Sequence, residues 1–248
     1  MIKPMSTFPV FILAGGKGTR FPEETNLRPK PMIKILKKPM LMHIIDHYKS
    51  FGFTEFHILG GYKHSVIIDY FDKNFRKNKL FKHSYSVHSK TNVNIIDTGL
   101  DTMTGGRVLR GLNFTDSNKV HVTYGDGLAD VNILKLNKFN LRNAQLATIT
   151  AVMPPSKFGV LDLKYNQVKS FGEKIQATGS WINGGFMVFD RKIENYLSND
   201  STILEKEPLS NLAKDNQLNA FKHLGFWQCV DTLREKQVLE DYLTKKIN

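Results

Sequence analysis

The stretch Leu13-Ala14-Gly15-Gly16-Lys17-Gly18-Thr19-Arg20, followed by Arg28-Pro29-Lys30-Pro31-Met32, constrains this chain most. Residues 8–13 form an apolar run that reads as a buried strand, and the run breaks into a loop of three glycines and two cations. Glycine lets a backbone approach a ligand closely and turn its N–H groups inward, and lysine and arginine neutralise an anion placed there. The combination reads as a polyphosphate cradle at the end of a strand, and so as a nucleoside triphosphate site in an α/β fold.

Two familiar phosphate loops are excluded by single residues. A Walker loop requires Ser or Thr after G-K, and here Gly16-Lys17 runs into Gly18. A dinucleotide fingerprint requires a third glycine where Phe21 stands.

The order of elements extends the α/β reading. Strands are expected at residues 8–13, 56–59, 120–124, 146–153 and 186–189, and a hairpin at 160–163 with 167–171. Helices are expected at 39–51, 64–75, 131–143, 202–214 and 233–245. Strands separated by helices imply a mixed, mostly parallel sheet flanked by helices, with ligands at the carboxyl ends of its strands. No repeat, low-complexity segment or linker divides the 248 residues, so one domain over 1–248 is expected.

The net charge of +12 raises the question of nucleic acid. The lysines are scattered, however, and no zinc-ligand cysteines, RNP aromatics or basic arm accompany them, so no specific nucleic-acid partner is expected. The charge reads as a solvated surface that concentrates anionic substrates. No apolar run approaches the ~20 residues of a membrane span. The stretch after Lys3 meets Gly15-Gly16-Lys17 rather than a small-residue cleavage site. With Cys229 the single cysteine, a cytoplasmic location is expected.

Further along, Tyr124-Gly125-Asp126-Gly127 sets one carboxylate at a strand end between glycines. Asp126 serves there either as a turn or cap residue or as a ligand for the Mg²⁺ that a triphosphate brings. Asp231 is a second available carboxylate, but spacing alone does not bring it to Asp126. Asn183, in Trp181-Ile182-Asn183-Gly184-Gly185-Phe186, is either a turn residue or a partner of sugar hydroxyls. Thr102-Met103-Thr104-Gly105-Gly106-Arg107 reads as a polar, glycine-rich loop, and Arg107 and Arg110 either meet phosphate or base or belong to an exposed loop before a helix. Glu205 and Glu207 are either helix-start carboxylates or, for Glu205, a binder of sugar hydroxyls. His43 and His47 stand four apart on a helix without a third ligand.

Taken in order, A-G-G-K-G-T-R, P-K-P-M, M-T-G-G-R, Y-G-D-G, S-F-G-E-K, W-I-N-G-G-F and G-F-W-Q with D-T-L-R cover nearly the whole chain. The set resembles the sugar-phosphate nucleotidyltransferases, a family with a Rossmann-like sheet. The resemblance implies nucleotide contacts from Leu13, Ala14, Gly15, Gly16, Gly18, Thr19, Arg20, Lys30, Thr104, Arg107 and Gly125, with Arg20, Lys30 and Asp126 catalytic. It implies Mg²⁺ on Asp126 and Asp231, and sugar-phosphate contacts from Lys174, Asn183, Gly184 and Glu205. Where the family has proline after that lysine, this chain has Ile175. M-T-G-G-R, W-I-N-G-G-F and G-F-W-Q resemble the branch that joins CTP to α-D-glucose 1-phosphate, giving CDP-glucose and pyrophosphate. UTP, dTTP or another hexose phosphate remain alternatives. A homo-oligomer, specifically a hexamer, is implied in the same way.

Overall fold

The computed structural model describes residues 8–88, 90–154, 160–164, 167–172 and 181–247. The strand that precedes the glycine loop, β1 (Val10–Ala14), is buried at every position. Its Val10, Ile12 and Ala14 join one core cluster and Phe11 and Leu13 another, on opposite faces of the sheet. Such a strand must be apolar throughout, because helices cover both faces.

After α1 (Met40–Ser50), β2 (Glu55–Gly60) pairs parallel with one edge of β1. Beyond it come α2 (His64–Asn74), β3 (Ser84–Val87) and β4 (Thr91–Asp97). On the other edge of β1, past α3 (Thr104–Leu112), lies β5 (Lys119–Tyr124), also parallel. β1 is therefore the place where strand order reverses, and the loops leaving β1 and β5 part to open a crevice. Register sets their level: Leu13 lies opposite Tyr124, and Gly125 N–H donates to Leu13 O at 3.0 Å.

The chain continues through β6 (Gly127–Ala129), α4 (Ile133–Asn143), β7 (Ala147–Val152) and β8 (Met187–Asp190). It ends in α5 (Glu207–Lys214), β9 (Leu218–His223), β10 (Trp227–Cys229) and α6 (Leu233–Ile247). β8 inserts antiparallel between β5 and β7, and β9 adds parallel to β7, so the main sheet is mixed. The hairpin Val160–Lys164 with Gln167–Gly172 forms as expected. No helix among the described residues is long and apolar enough to cross a membrane.

Two differences from the sequence reading have clear causes. The helix expected over 202–214 begins only at Glu207, because Pro208 has no N–H and belongs in a first turn. Glu205 consequently projects from the segment before the helix rather than from its surface. β3, β4, β9 and the helix α3 were not anticipated; α3 starts at Thr104, within the stretch 102–107 expected to be a loop. In β4, Asn94 is 1% exposed and its Oδ1 accepts from Ser84 Oγ at 2.5 Å, so a buried strand carries polar side chains that hide its pattern.

At the centre of one core face, the ring of His121 lies 4.7 Å from Phe53 and 5.6 Å from Tyr48. The His121 ring is fully buried and Nε2 pairs with Asn137 Oδ1 at 2.7 Å. Burial drives its pKa down to about 3, so it is neutral in the folded protein. An unfolded chain binds that proton below about 6.5, so stability is full above that pH and falls as the pH drops toward 3. His43 and His47 are shifted downward for the same reason and act with the same sign. We expect His121 to remove about 2 kcal/mol of stability between pH 6.5 and 5, from about 1.4 kcal/mol per unit. Urea unfolding at the two pH values checks this; His121→Gln should flatten the dependence by that amount whatever its absolute stability.

Candidate active site

The loops after β1 and β5 border a cavity of about 530 Å³, within the range of a small-molecule site. Residues 13–20, 30–31, 100–104 and 124–126 line it, together with Arg107, Ile203 and Asp231. Every residue expected to meet the nucleotide or the metal is on this wall. Phe21, which occupies the place of the missing third glycine, is 1% exposed and anchors the loop in the core. Thr25 Oγ1 donates to Gly18 O at 3.0 Å and to Phe21 O at 2.9 Å, closing the loop from below. Gly18 has φ +64°, a left-handed conformation that favours glycine. A Cβ on Gly16 would meet open space, so the backbone is bare toward the cavity.

Arg107, 4% exposed, forms the back of the loop. Its Nη1 donates to Gly60 O and Gly99 O, both at 2.8 Å, and to Thr98 Oγ1 at 2.6 Å. Its Nη2 donates to Gly15 O at 3.1 Å and Leu100 O at 3.3 Å. One guanidinium thus ties together the carboxyl ends of β1, β2 and β4. Burial depresses its pKa from the ordinary arginine value. A Cβ on Gly15 would lie 2.0 Å from Arg107 Cζ, which is why glycine stands there. Arg110, by contrast, grips Asp200 through Nε at 2.8 Å and Nη2 at 2.5 Å.

At the opposite wall, Lys30 stands in a single 3₁₀ turn, Lys30–Met32. Its Nζ donates to Asp126 Oδ2 at 2.8 Å and to Asp231 Oδ1 at 2.5 Å. Arg20 Nη1 reaches Asp231 Oδ2 at 3.3 Å from a largely exposed side chain. Burial pulls the Lys30 pKa down, but the two carboxylates outweigh it and the net shift is upward. For Asp231, burial pulls up, while Lys30 and Arg20 prevail and hold it below the usual range. The convergence of Asp126 and Asp231 is made by a short ladder: β10 pairs antiparallel with β6, Cys229 lies opposite Gly127, and Val230 N–H donates to Asp126 O at 2.9 Å. Burial and the neighbouring carboxylates push the Cys229 thiol up to about 11.

Whether this pair suits a divalent cation is answered by its donor set. Two carboxylates share one counter-cation at the rim of the cavity, and no group of three or more His, Cys, Asp or Glu assembles among the described residues. Hard cations that keep waters and take phosphate oxygens need only one or two carboxylates, so the donor set fits.

The expected sugar side lies next to this cavity. Tyr124 Oη donates to Glu205 Oε1 at 2.6 Å and accepts from Asn183 Nδ2 at 3.1 Å. Thr104 Oγ1 donates to Glu205 Oε2 at 2.6 Å, so Glu205 links the cavity wall, through Tyr124, to Asn183. Gly184 O accepts from Trp227 Nε1 at 2.8 Å, and a Cβ at Gly184 would press on Val152. Tyr124 was not singled out by sequence reasoning, although it stands in the same Tyr-Gly-Asp-Gly string as Asp126; its position opposite Leu13 was the missing information. Lys174 lies outside the described residues.

Comparison with known proteins gives the family of the chain. The nucleotidyl transferase family model matches residues 10–232. The glucose-1-phosphate cytidylyltransferase of Salmonella typhimurium is 43% identical over 92% of this chain and 93% of its own length. A probable glucose-1-phosphate cytidylyltransferase of Bacillus subtilis is 39% identical over 90% and 91%. Among solved structures, HddC from Yersinia pseudotuberculosis superposes with a TM-score of 0.71 at 25% identity, covering 96% of this chain and all of that one. A UDP-glucose pyrophosphorylase complexed with UDP-glucose shares the fold at a TM-score of 0.69 and 19% identity, over 96% and 99%. The matched span, residues 10–232, takes in this chain's glycine loop, Arg107 and both aspartates: the chain belongs to the nucleotidyl transferase family.

Proposed function

We propose that the chain transfers the cytidylyl group of CTP to α-D-glucose 1-phosphate, giving CDP-glucose and pyrophosphate. One observation carries the reading: Lys30, Asp126 and Asp231 meet at the mouth of a nucleotide-sized cavity in a chain 43% identical to a cytidylyltransferase of that specificity. We take residues 1–248 as one catalytic domain.

A phosphate oxygen of the sugar ester attacks the α-phosphorus in line as pyrophosphate leaves. A phosphate monoester has a second pKa of about 6, so the nucleophile is already charged at neutral pH and no general base is required. The protein's work is positioning and charge neutralisation. Backbone N–H groups of residues 15–19 receive the triphosphate, held in place by Arg107 from behind. Arg20 and Lys30 screen it. Asn183 and Glu205 receive the hexose, with Tyr124 fixing both side chains. Lys174 holds the sugar phosphate, as the resemblance implies. Nucleotidyl transferases generally use a divalent metal; here Asp126 and Asp231 would hold Mg²⁺, whose chemistry is to neutralise phosphate charge.

Pyrophosphate release measured over four nucleoside triphosphates and several sugar 1-phosphates should be fastest with CTP and α-D-glucose 1-phosphate; a faster pair replaces this assignment. Asp126→Asn should keep its circular dichroism spectrum and lose about a hundredfold or more in turnover; near-normal turnover removes the role given to Asp126. Tyr124→Phe should raise KM for glucose 1-phosphate about five- to tenfold, from one lost hydrogen bond to a charged group, with KM for CTP little changed. Equal effects on both constants mean that Tyr124 does not serve the hexose side.

A further inference from the structure

We infer that Lys30 is the resident counter-ion of the Asp126–Asp231 pair, and that the incoming triphosphate, by drawing this ammonium away, opens the pair to a divalent cation. The inference rests on the reading of those aspartates as metal ligands and adds an order to it: metal binds with nucleotide, not before.

The geometry points this way. Two carboxylates that lie within reach of one ammonium repel each other unless a positive charge sits between them. Lys30 supplies that charge, with its side chain 11% exposed and that of Asp231 15% exposed. Each carboxylate already has its charge-assisted hydrogen bond, so a cation arriving alone must break both to gain two ligands. A triphosphate changes the balance. It occupies the cavity that Lys30 lines, offers the ammonium new acceptors and brings its own oxygens to complete a coordination shell.

The backbone is built for a side-chain movement alone. Lys30 stands between Pro29 and Pro31, and its turn is closed by Met32 N–H to Pro29 O at 2.8 Å and Ile33 N–H to Lys30 O at 3.0 Å. The stem therefore pivots from a rigid base, and Nζ moves by rotamer change between the carboxylates and the cavity. Arg20 makes the same exchange from Asp231 on a smaller scale, since its side chain is 80% exposed and its bond is longer.

Mn²⁺ binding, followed by electron paramagnetic resonance on the nucleotide-free protein, tests the inference. Wild type should bind Mn²⁺ weakly, K30Q at least about tenfold more tightly, and K30R, which keeps the charge, like wild type. Wild type binding Mn²⁺ alone as tightly as K30Q overturns it. R20A, at an exposed position, guards against a misfolded K30Q and should tighten Mn²⁺ binding about twofold. In wild type itself, Mn²⁺ alone should leave the melting temperature unchanged, whereas Mn²⁺ with a non-hydrolysable CTP analogue should raise it beyond the analogue alone. A rise with Mn²⁺ alone as large as that with both overturns the exchange. The double variant K30Q/D126N separates the two ideas: tight Mn²⁺ binding that survives it places the metal elsewhere and removes the ligand assignment, while its loss leaves the assignment standing.

Discussion

A buried guanidinium organises this molecule. Among the described residues Arg107 bonds to no carboxylate; four carbonyl oxygens and a hydroxyl at the ends of three neighbouring strands accept from it. Strand ends are where a parallel sheet leaves carbonyls without ladder partners, and a planar five-donor cation answers several at once. The consequence is a rigid back wall. The glycine loop is held by Gly15 O, and the space in front of it is left to a ligand. A phosphate loop whose cation faced forward alone would have nothing to fix its shape.

The front of the cavity is governed by charge in a different way. Lys30, Arg20, Asp126 and Asp231 neutralise one another in the free protein. An anion-binding site with unopposed lysines would repel its own metal, and one with unopposed carboxylates would repel its nucleotide. A network in which both signs are stored against each other is ready for either, and the triphosphate is the ligand that separates them. The wider surplus of +12 adds a long-range pull on anionic substrates without shaping this balance.

Much of the site was legible because its chemistry is local. Gly15, Gly16, Gly18 and Arg20 follow a strand with an unmistakable apolar run, and all of them line the cavity. Asp126 follows a second strand, Lys119–Tyr124, in which valines alternate with polar residues. Other parts were harder. β4 buries Asn94 against Ser84 and His57, so its pattern reads as polar. β9 pairs with β7 through mixed, half-exposed residues without strict alternation. Arg107 borders the cavity as expected, but a sequence does not show that its guanidinium is also held by carbonyls at three strand ends. Tyr124 passed unnoticed because its two partners, Asn183 and Glu205, lie 59 and 81 residues away.

From its residues alone this chain was committed to an α/β sheet with a phosphate-binding turn at the end of its first strand, since hydrophobic period, glycine and adjacent cations are properties of contiguous sequence. Tertiary structure alone decided that Asp126 and Asp231 share a cation. That meeting depends on a ladder of three residues on each side, β6 with β10, followed by one further backbone bond. Strands so short carry no periodicity, and their partner is selected by the whole sheet that brings them within hydrogen-bonding distance. The loop-closure entropy of joining residues so far apart in the chain is met by the packed core, not by anything written at either aspartate.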